Sequence, residues 1–521
     1  MDQQTRDLIY GKDQTERVVC VEADEDFFTI FTEDEQGNVN EEIRSSSYWL
    51  LTPAKYSQNA SRLKGNQFYK YISHFSTKKE KIISVGSLKK SNKDYYTIWD
   101  DKESILVNKG ITYFKGMKPQ DVSVLFFDIE STGLVKDENS KVLLIANTFR
   151  RNGKITKKMF CYDDFETDAD MFDAWCEWVR KMNPSIVCGH NIISYDLPYM
   201  AHCAQKSGTG LRLGRDESYM TFSDFPSQFR KDGSQTYTFN EVKIFGREVV
   251  DTMFLAIKYD IKRKYESYGL KSIIAQEGLE KENREFYDAS KIRDNYKIPE
   301  EWKKIKKYAK DDADDAMSLY DLMIPSFFYF AQNIPKSFQM IINKATGSQI
   351  NSFLVRSYLQ LGHSIPKASE VTTSYEGAIS FGVAGQYKNC YKLDIASLYP
   401  SIIEQYEVYD KYKDPLKHFL KSVQIFREQR LLNKQKFKET KDTYYEDLSE
   451  SMKILINSMY GFMGTNGLNF NSPANAAFVT EMGRNILEQG IKFATGKPIE
   501  YWKNLKSEVS SDDEGDESDA T

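Results

Sequence analysis

The sequence predicts a multidomain protein of mixed α/β and α+β class. Three observations carry this. Its 521 residues suffice for roughly three or four domains. The first third opens on short apolar runs separated by polar turns, and the middle third alternates strand-like with helix-like stretches. Beyond residue 411 the pattern becomes helical and basic.

Taken in order, residues 1–120 form an N-terminal mixed β domain, with Val18-Val19-Cys20-Val21 and Phe27 to Phe31 as strands and Gly37-Asn38 as a turn. Residues 121–335 read as a second, α/β domain. There Val122 to Ile129 is a buried strand and Ser185 to Cys188 another. Asp168 to Met182 is an amphipathic helix, with Met171, Trp175, Trp178, Val179 and Met182 on one face. Residues 208–247 are polar and turn-rich, which suggests a hairpin excursion. Residues 336–410 lead into a strand around Asp394, residues 411–465 form an antiparallel helical pair, and residues 466–506 return to mixed apolar structure. Residues 507–521 are acid- and serine-rich and are expected to be a disordered tail.

Composition narrows the class. The six cysteines form no C-x-x-C pair, so neither a zinc site nor a disulfide framework is indicated, and a reducing, cytoplasmic setting is expected. No apolar run approaches the roughly 20 residues of a membrane span, so no membrane partner is expected. The net charge of −5 hides a segregation. Without the seven acids of 507–521, residues 1–506 carry +2, and residues 411–441 alone carry ten Lys/Arg against three acids. That run is either a solvated helix face or a phosphate-binding surface.

Carboxylates concentrate in the second domain. Asp128 and Glu130 stand at i and i+2 on a strand, hence on one face. Alone, such a pair is either a surface feature or an oxygen-only site for Mg²⁺ or Mn²⁺. Two further segments join it: His190-Asn191-Ile192-Ile193-Ser194-Tyr195-Asp196, and Tyr308-Ala309-Lys310-Asp311-Asp312, where Tyr308 and Asp312 share a helix face. Together the three resemble the Exo I, Exo II and Exo III motifs of DEDDy-type exonucleases in family B DNA polymerases. The resemblance implies an RNase H-like 3′→5′ exonuclease domain. It also implies that Asp128, Glu130, Asp196 and Asp312 hold two metal ions, that Tyr308 orients the attacking water, and that Asn191 lines the site. Asp251 and Tyr268 are read as scaffold or DNA-strand contacts, and His190 as a structural hydrogen-bonding residue. Asp311, Asp314 and Asp315 are expected on a solvated helix face.

The last third extends the resemblance. Asp394-Ile395-Ala396-Ser397-Leu398-Tyr399-Pro400-Ser401-Ile402-Ile403 resembles motif A, and Lys453-Ile454-Leu455-Ile456-Asn457-Ser458-Met459-Tyr460-Gly461 resembles motif B. Arg430 and Lys434, at i and i+4, resemble the cation pair of the fingers. The implied fold is a partial polymerase palm with helical fingers. The implied roles are metal binding by Asp394 and phosphate neutralisation by Arg430, Lys434 and Lys453. Ser397, Leu398, Asn457, Tyr460 and Gly461 would contact the nucleotide, and Tyr399 would exclude a 2′ hydroxyl. Tyr375-Glu376-Gly377-Ala378 resembles the Y-x-G-G template contact, with Ala378 in place of the second glycine.

No Y-x-D-T-D-S segment, the motif C that supplies the second palm carboxylate, occurs in the 521 residues. The function expected is therefore that of an N-terminal subunit of a split, T-even-like phage polymerase. It would act in an infected bacterial cytoplasm, with a C-terminal polymerase subunit supplying motif C and the thumb. Its partners would be primer-template and single-stranded 3′ ends of DNA, dNTPs and a sliding clamp, with two Mg²⁺ or Mn²⁺ ions per active site. The alternatives are a stand-alone 3′→5′ exonuclease and a non-catalytic DNA-binding remnant. Unpaired palm elements would leave apolar surface exposed near residues 391–403 and 472–494.

Overall fold

The computed structural model describes residues 1–504 apart from 232–234, 370–375, 381, 383–384 and 396. Tyr375 and the acidic 507–521 stretch lie outside the described residues.

The N-terminal region is built on two small antiparallel sheets. One orders Val18–Ala23, Phe27–Glu33 and Val39–Ser45; the other places Tyr71–Phe75 between Tyr48–Thr52 and Ala60–Arg62. The helices Lys78–Lys90 and Asp101–Lys109 pack on them, each started by a side-chain cap, Thr77 and Asp100. This region is welded to the next by a buried carboxylate. Glu33 accepts hydrogen bonds from Ser123 N and Oγ at 2.9 Å and from Ser185 Oγ at 2.5 Å. Ser123 and Ser185 lie just ahead of two central strands of the second domain.

That domain has a five-stranded sheet in the order Glu248–Asp251, Ile186–Gly189, Val124–Ser131, Val142–Arg151, Lys154–Cys161. The first three strands run parallel and the last two are antiparallel to their neighbours. The central strand is buried along nearly its whole length, as a strand covered on both faces must be. The helix Asp168–Met182 falls on the predicted residues. Thr167 and Asp170 form its capping box, and Asn183 closes it in the left-handed region. The polar excursion forms short antiparallel pairs between Thr221 and Lys243. The 33-residue helix Pro299–Ala331 packs against the Val124–Ser131 and Val142–Arg151 strands, and Pro is at its first position, where no intrahelical N–H is required.

Beyond it, the basic stretch forms the expected antiparallel pair, His418–Thr440 and Thr443–Met463, followed by the helix Pro473–Thr495. The second of these helices packs on Pro299–Ala331, with the Tyr329 and Tyr444 rings edge to face at 5.7 Å.

One element differs from expectation. No strand forms around Asp394 among the described residues of 376–395; the chain there is irregular, with Tyr391 and Leu393 92% and 80% exposed. A strand exists only through its neighbour's hydrogen bonds, and no described strand lies alongside. The anticipated apolar exposure is thus present at Tyr391, Leu393 and Phe493, whereas Ile402, Ile403 and Val479 are buried.

Candidate active site

The central strand of the five-stranded sheet delivers Asp128 and Glu130 to one place, as the i, i+2 alternation requires. The long helix delivers Asp312 to the same place, and ligand oxygens of Asp128, Glu130 and Asp312 lie within 4.8 Å of one another. Asp196, the first residue of the helix Asp196–Lys206, is buried beside them, with its carboxylate on the backbone N–H of Ile129. It stands outside the 4.8 Å group but within electrostatic reach of Asp128.

Burial and the neighbouring carboxylates hold Asp128 and Glu130 well above the ordinary carboxylate range. Asp196 is pushed up to about 8, by burial first and then by Asp251. Carboxylates packed this closely repel until a cation lies among them, and an all-oxygen donor set fits a hard divalent ion. The residues present therefore fit Mg²⁺ or Mn²⁺.

Tyr308 lies one turn before Asp312 on the same helix face, as predicted. Its hydroxyl takes a hydrogen bond from Lys271 Nζ, and that ammonium sits 4.1 Å from the ring centre. Burial and the surrounding carboxylates hold the phenol above its usual range, so it stays protonated.

Asp251 proves to be scaffold. It is fully buried, caps the helix Thr252–Tyr259 through Met253 N at 2.9 Å, and accepts Asn191 N and Ile193 N at 2.8 and 3.0 Å. It thereby fixes Asn191 in the left-handed region, at φ +62°. His190 is structural, as anticipated: Nδ1 lies 2.9 Å from Thr252 Oγ1, and Nε2 donates to the Tyr268 carbonyl at 2.8 Å. Tyr268 turns its hydroxyl to Asp260 at 2.9 Å.

The acids around Asp312 contradict their expected place on a solvated face. Asp314 and Asp315 are buried and Asp311 is half-buried. Asp314 is paired with Lys157 and Lys281, at 2.5 and 3.0 Å. Asp315 takes Arg284 Nε at 2.6 Å, and Arg284 Nη2 donates to Asp312 itself. These cations come from distant segments, and nothing in the local pattern announces them. Lys271, three residues beyond Tyr268, and Arg284 carry no signal in the local sequence.

In the last third the structure brings some predicted residues together. Ser397, left-handed at φ +55°, begins the helix Leu398–Gln405, and Arg430 Nη1 donates to its Oγ at 2.9 Å. The Tyr399 ring packs on Tyr460 with centres 4.5 Å apart, and a Cβ at Gly483 would stand 3.0 Å from that ring. Leu398 packs against the apolar core. Lys453 pairs with Glu450 at 2.8 Å, while Lys434, Asn457 and Gly461 are exposed. Arg484 binds the Gly377 carbonyl at 2.8 Å. Asp394 is exposed, and among the described residues no group of three or more metal-ligating side chains includes it.

Two family models match in chain order: the exonuclease domain of DNA polymerase family B over residues 68–273, and DNA polymerase family B over residues 416–518. Both parts of the chain are similar to family B DNA polymerases. It is 25% identical over 411 residues to a DNA polymerase of Archaeoglobus fulgidus, covering 73% of this chain and 48% of that one. It is 28% identical over 436 residues to a DNA polymerase delta catalytic subunit of Plasmodium falciparum, covering 70% and 39%. The family B DNA polymerase of Pyrobaculum calidifontis has a similar fold, with a TM-score of 0.70 at 16% identity, covering 90% of this chain and 70% of that one. The chain thus spans about half the length, or less, of the curated relatives it matches. These relatives are archaeal and eukaryotic, and they lend no support to a T-even phage affinity.

Proposed function

We propose that this chain is a proofreading 3′→5′ exodeoxyribonuclease module joined to the nucleotide-binding part of a polymerase. The observation that supports this most is the Asp128, Glu130 and Asp312 cluster, with Asp196 and Tyr308 beside it. The substrate is a single-stranded 3′ end of DNA.

Asp128, Glu130, Asp196 and Asp312 would hold two divalent ions, Mg²⁺ or Mn²⁺, which supply activation of water and stabilisation of the leaving 3′ oxygen. The chain's own residues do the rest. The Tyr308 hydroxyl, held against Lys271, orients the water towards the phosphorus. Asp251 locks the Asn191 turn that precedes Asp196, so the second carboxylate-bearing element approaches the strand in one register. The buried setting keeps bulk water from screening these charges.

For the polymerase part, Arg430, Lys434, Lys453 and Asn457 meet the dNTP phosphates, and Tyr399 with Tyr460 and Gly461 shapes the pocket for sugar and base. With one palm carboxylate, Asp394, nucleotide addition needs a polypeptide that carries motif C and the thumb. Primer-template DNA and a sliding clamp are the further partners, in a cytoplasmic setting.

A 5′-labelled oligonucleotide tests this. In Mg²⁺ the purified chain should yield a ladder shortening from the 3′ end, and a terminal 3′ phosphorothioate should slow it. It should extend a primer only when a motif C-bearing chain is added. Degradation from the 5′ end, or primer extension by the chain alone, would overturn these assignments.

A further inference from the structure

One short segment, residues 281–285, contacts every acid in the run that contains the metal-site carboxylate Asp312. Lys281 pairs with Asp314 at 3.0 Å, and Glu285 N donates to Asp311 at 2.8 Å. Arg284 lies between them and takes two acids at once: Nη2 donates to Asp312 Oδ1 and Nε to Asp315 Oδ2 at 2.6 Å, while Nη1 is spent on the Glu285 carbonyl at 2.9 Å. The guanidinium lies 4.7 Å from the Phe286 ring centre, and its side chain is 1% exposed.

We propose that Arg284 is a positioning residue for the metal centre. This rests on the exonuclease reading above. Asp312 sits on a helix, where its carboxylate can rotate about its own side-chain bonds. A guanidinium fork held at two further points removes that freedom. It occupies Asp312 Oδ1, on a carboxylate that has an oxygen within 4.8 Å of ligand oxygens of Asp128 and Glu130. Asp315, 0% exposed, is the anchor that keeps the fork in place. An alternative role is simple charge balance, a cation offsetting crowded acids. The two differ in sign. An orienting residue strengthens metal binding when present, whereas a mere balancing charge repels the incoming ion and weakens it. Groups that orient metal ligands in this manner are typically worth roughly 10–100-fold in metal affinity or activity.

The test is a Mn²⁺ titration of the full chain, followed by electron paramagnetic resonance and calorimetry. Arg284→Met alone strands the buried Asp315 charge, so it is paired with Arg284→Met/Asp315→Asn, which removes both charges and keeps the fold. Arg284→Lys keeps the charge but loses the fork. The proposal expects the double variant to unfold near the wild-type temperature yet bind Mn²⁺ at least about 10-fold more weakly, with a broadened bound-Mn²⁺ spectrum. It expects Arg284→Lys to bind weakly too. Unchanged or tighter Mn²⁺ binding in the double variant, or full rescue by Lys, overturns it. Asp128→Ala separates the two readings. If wild type binds Mn²⁺ and loses it in Asp128→Ala while the Arg284 variants bind normally, only the Arg284 role fails. If wild type binds no Mn²⁺, the exonuclease reading fails and takes this one with it.

Discussion

Replacing Asp128 by Asn should stabilise the metal-free protein while removing its response to metal. Carboxylate oxygens of Asp128, Glu130 and Asp312 lie within 4.8 Å of one another. At that separation and an effective dielectric of 20, each ionised pair costs about 3 kcal/mol. Lys271 and Arg284 offset part of this at Asp312. Asp128 belongs to two such pairs, so even with most of that repulsion offset by the cations, removing its charge should return at least about 2 kcal/mol to the domain. For a domain of this size, that raises the unfolding temperature by about 5 °C. The assay is thermal unfolding at pH 8, in EDTA and again in excess Mg²⁺. Wild type should gain about 3 kcal/mol from metal held at about 100 times its dissociation constant, and Asp128→Asn should gain far less. If Asp128→Asn unfolds at or below the wild-type temperature in EDTA, the carboxylates are not in repulsion and the electrostatic account of the site is wrong. Equal stabilisation of both proteins by Mg²⁺ would show that the ion binds elsewhere.

Two further predictions concern the scaffold. Burial pushes the His190 imidazole down to about 4, from an ordinary value of 6.5. The folded state keeps it neutral while the unfolded chain binds a proton below 6.5, so its contribution is complete above that pH and is lost as pH falls towards 4. Set against His190→Gln, the wild-type protein should lose about 3 kcal/mol between pH 7 and 4, read by urea unfolding at each pH; parallel curves would refute this. Gly189→Ala places a Cβ 2.6 Å from the Phe127 carbonyl and 2.4 Å from Ile192 Cγ2. A backbone atom on the strand that carries Asp128 cannot yield cheaply, so about 2 kcal/mol of stability should be lost along with nuclease activity, and a variant of wild-type stability would show that the strands slide freely.

Legibility in the sequence followed the range of the interactions. The Asp168–Met182 helix could be read because its apolar face and its Thr167 and Asp170 cap lie within one stretch of chain. Asp128 with Glu130, and Tyr308 with Asp312, could be placed because their spacing alone decides which face they share. The burial of Asp314 and Asp315 could not be read: their cations Lys157, Lys281 and Arg284 arrive from segments 31 or more residues away. Arg284 escaped for the same reason. The Asp394 strand failed for a related one: its apolar alternation is real, but pairing belongs to a neighbour, and no described strand supplies one. Of the polymerase residues, the family resemblance assigned Ser397, Arg430, Tyr399 and Tyr460 to one nucleotide site, but the contacts of Ser397 with Arg430 and of Tyr399 with Tyr460 were not legible in the motif spacing.

The central claim is that the carboxylate cluster cuts DNA from its 3′ end. The direct measurement is the rate of release of a 3′-terminal labelled nucleotide from single-stranded DNA in Mg²⁺, for wild type, Asp128→Ala and Asp312→Ala, with DNA affinity measured in parallel without metal. The account predicts release by wild type, a loss of at least about 100-fold in both variants, and DNA binding retained in all three. DNA bound but never cut by wild type, or cut equally by the variants, would contradict it.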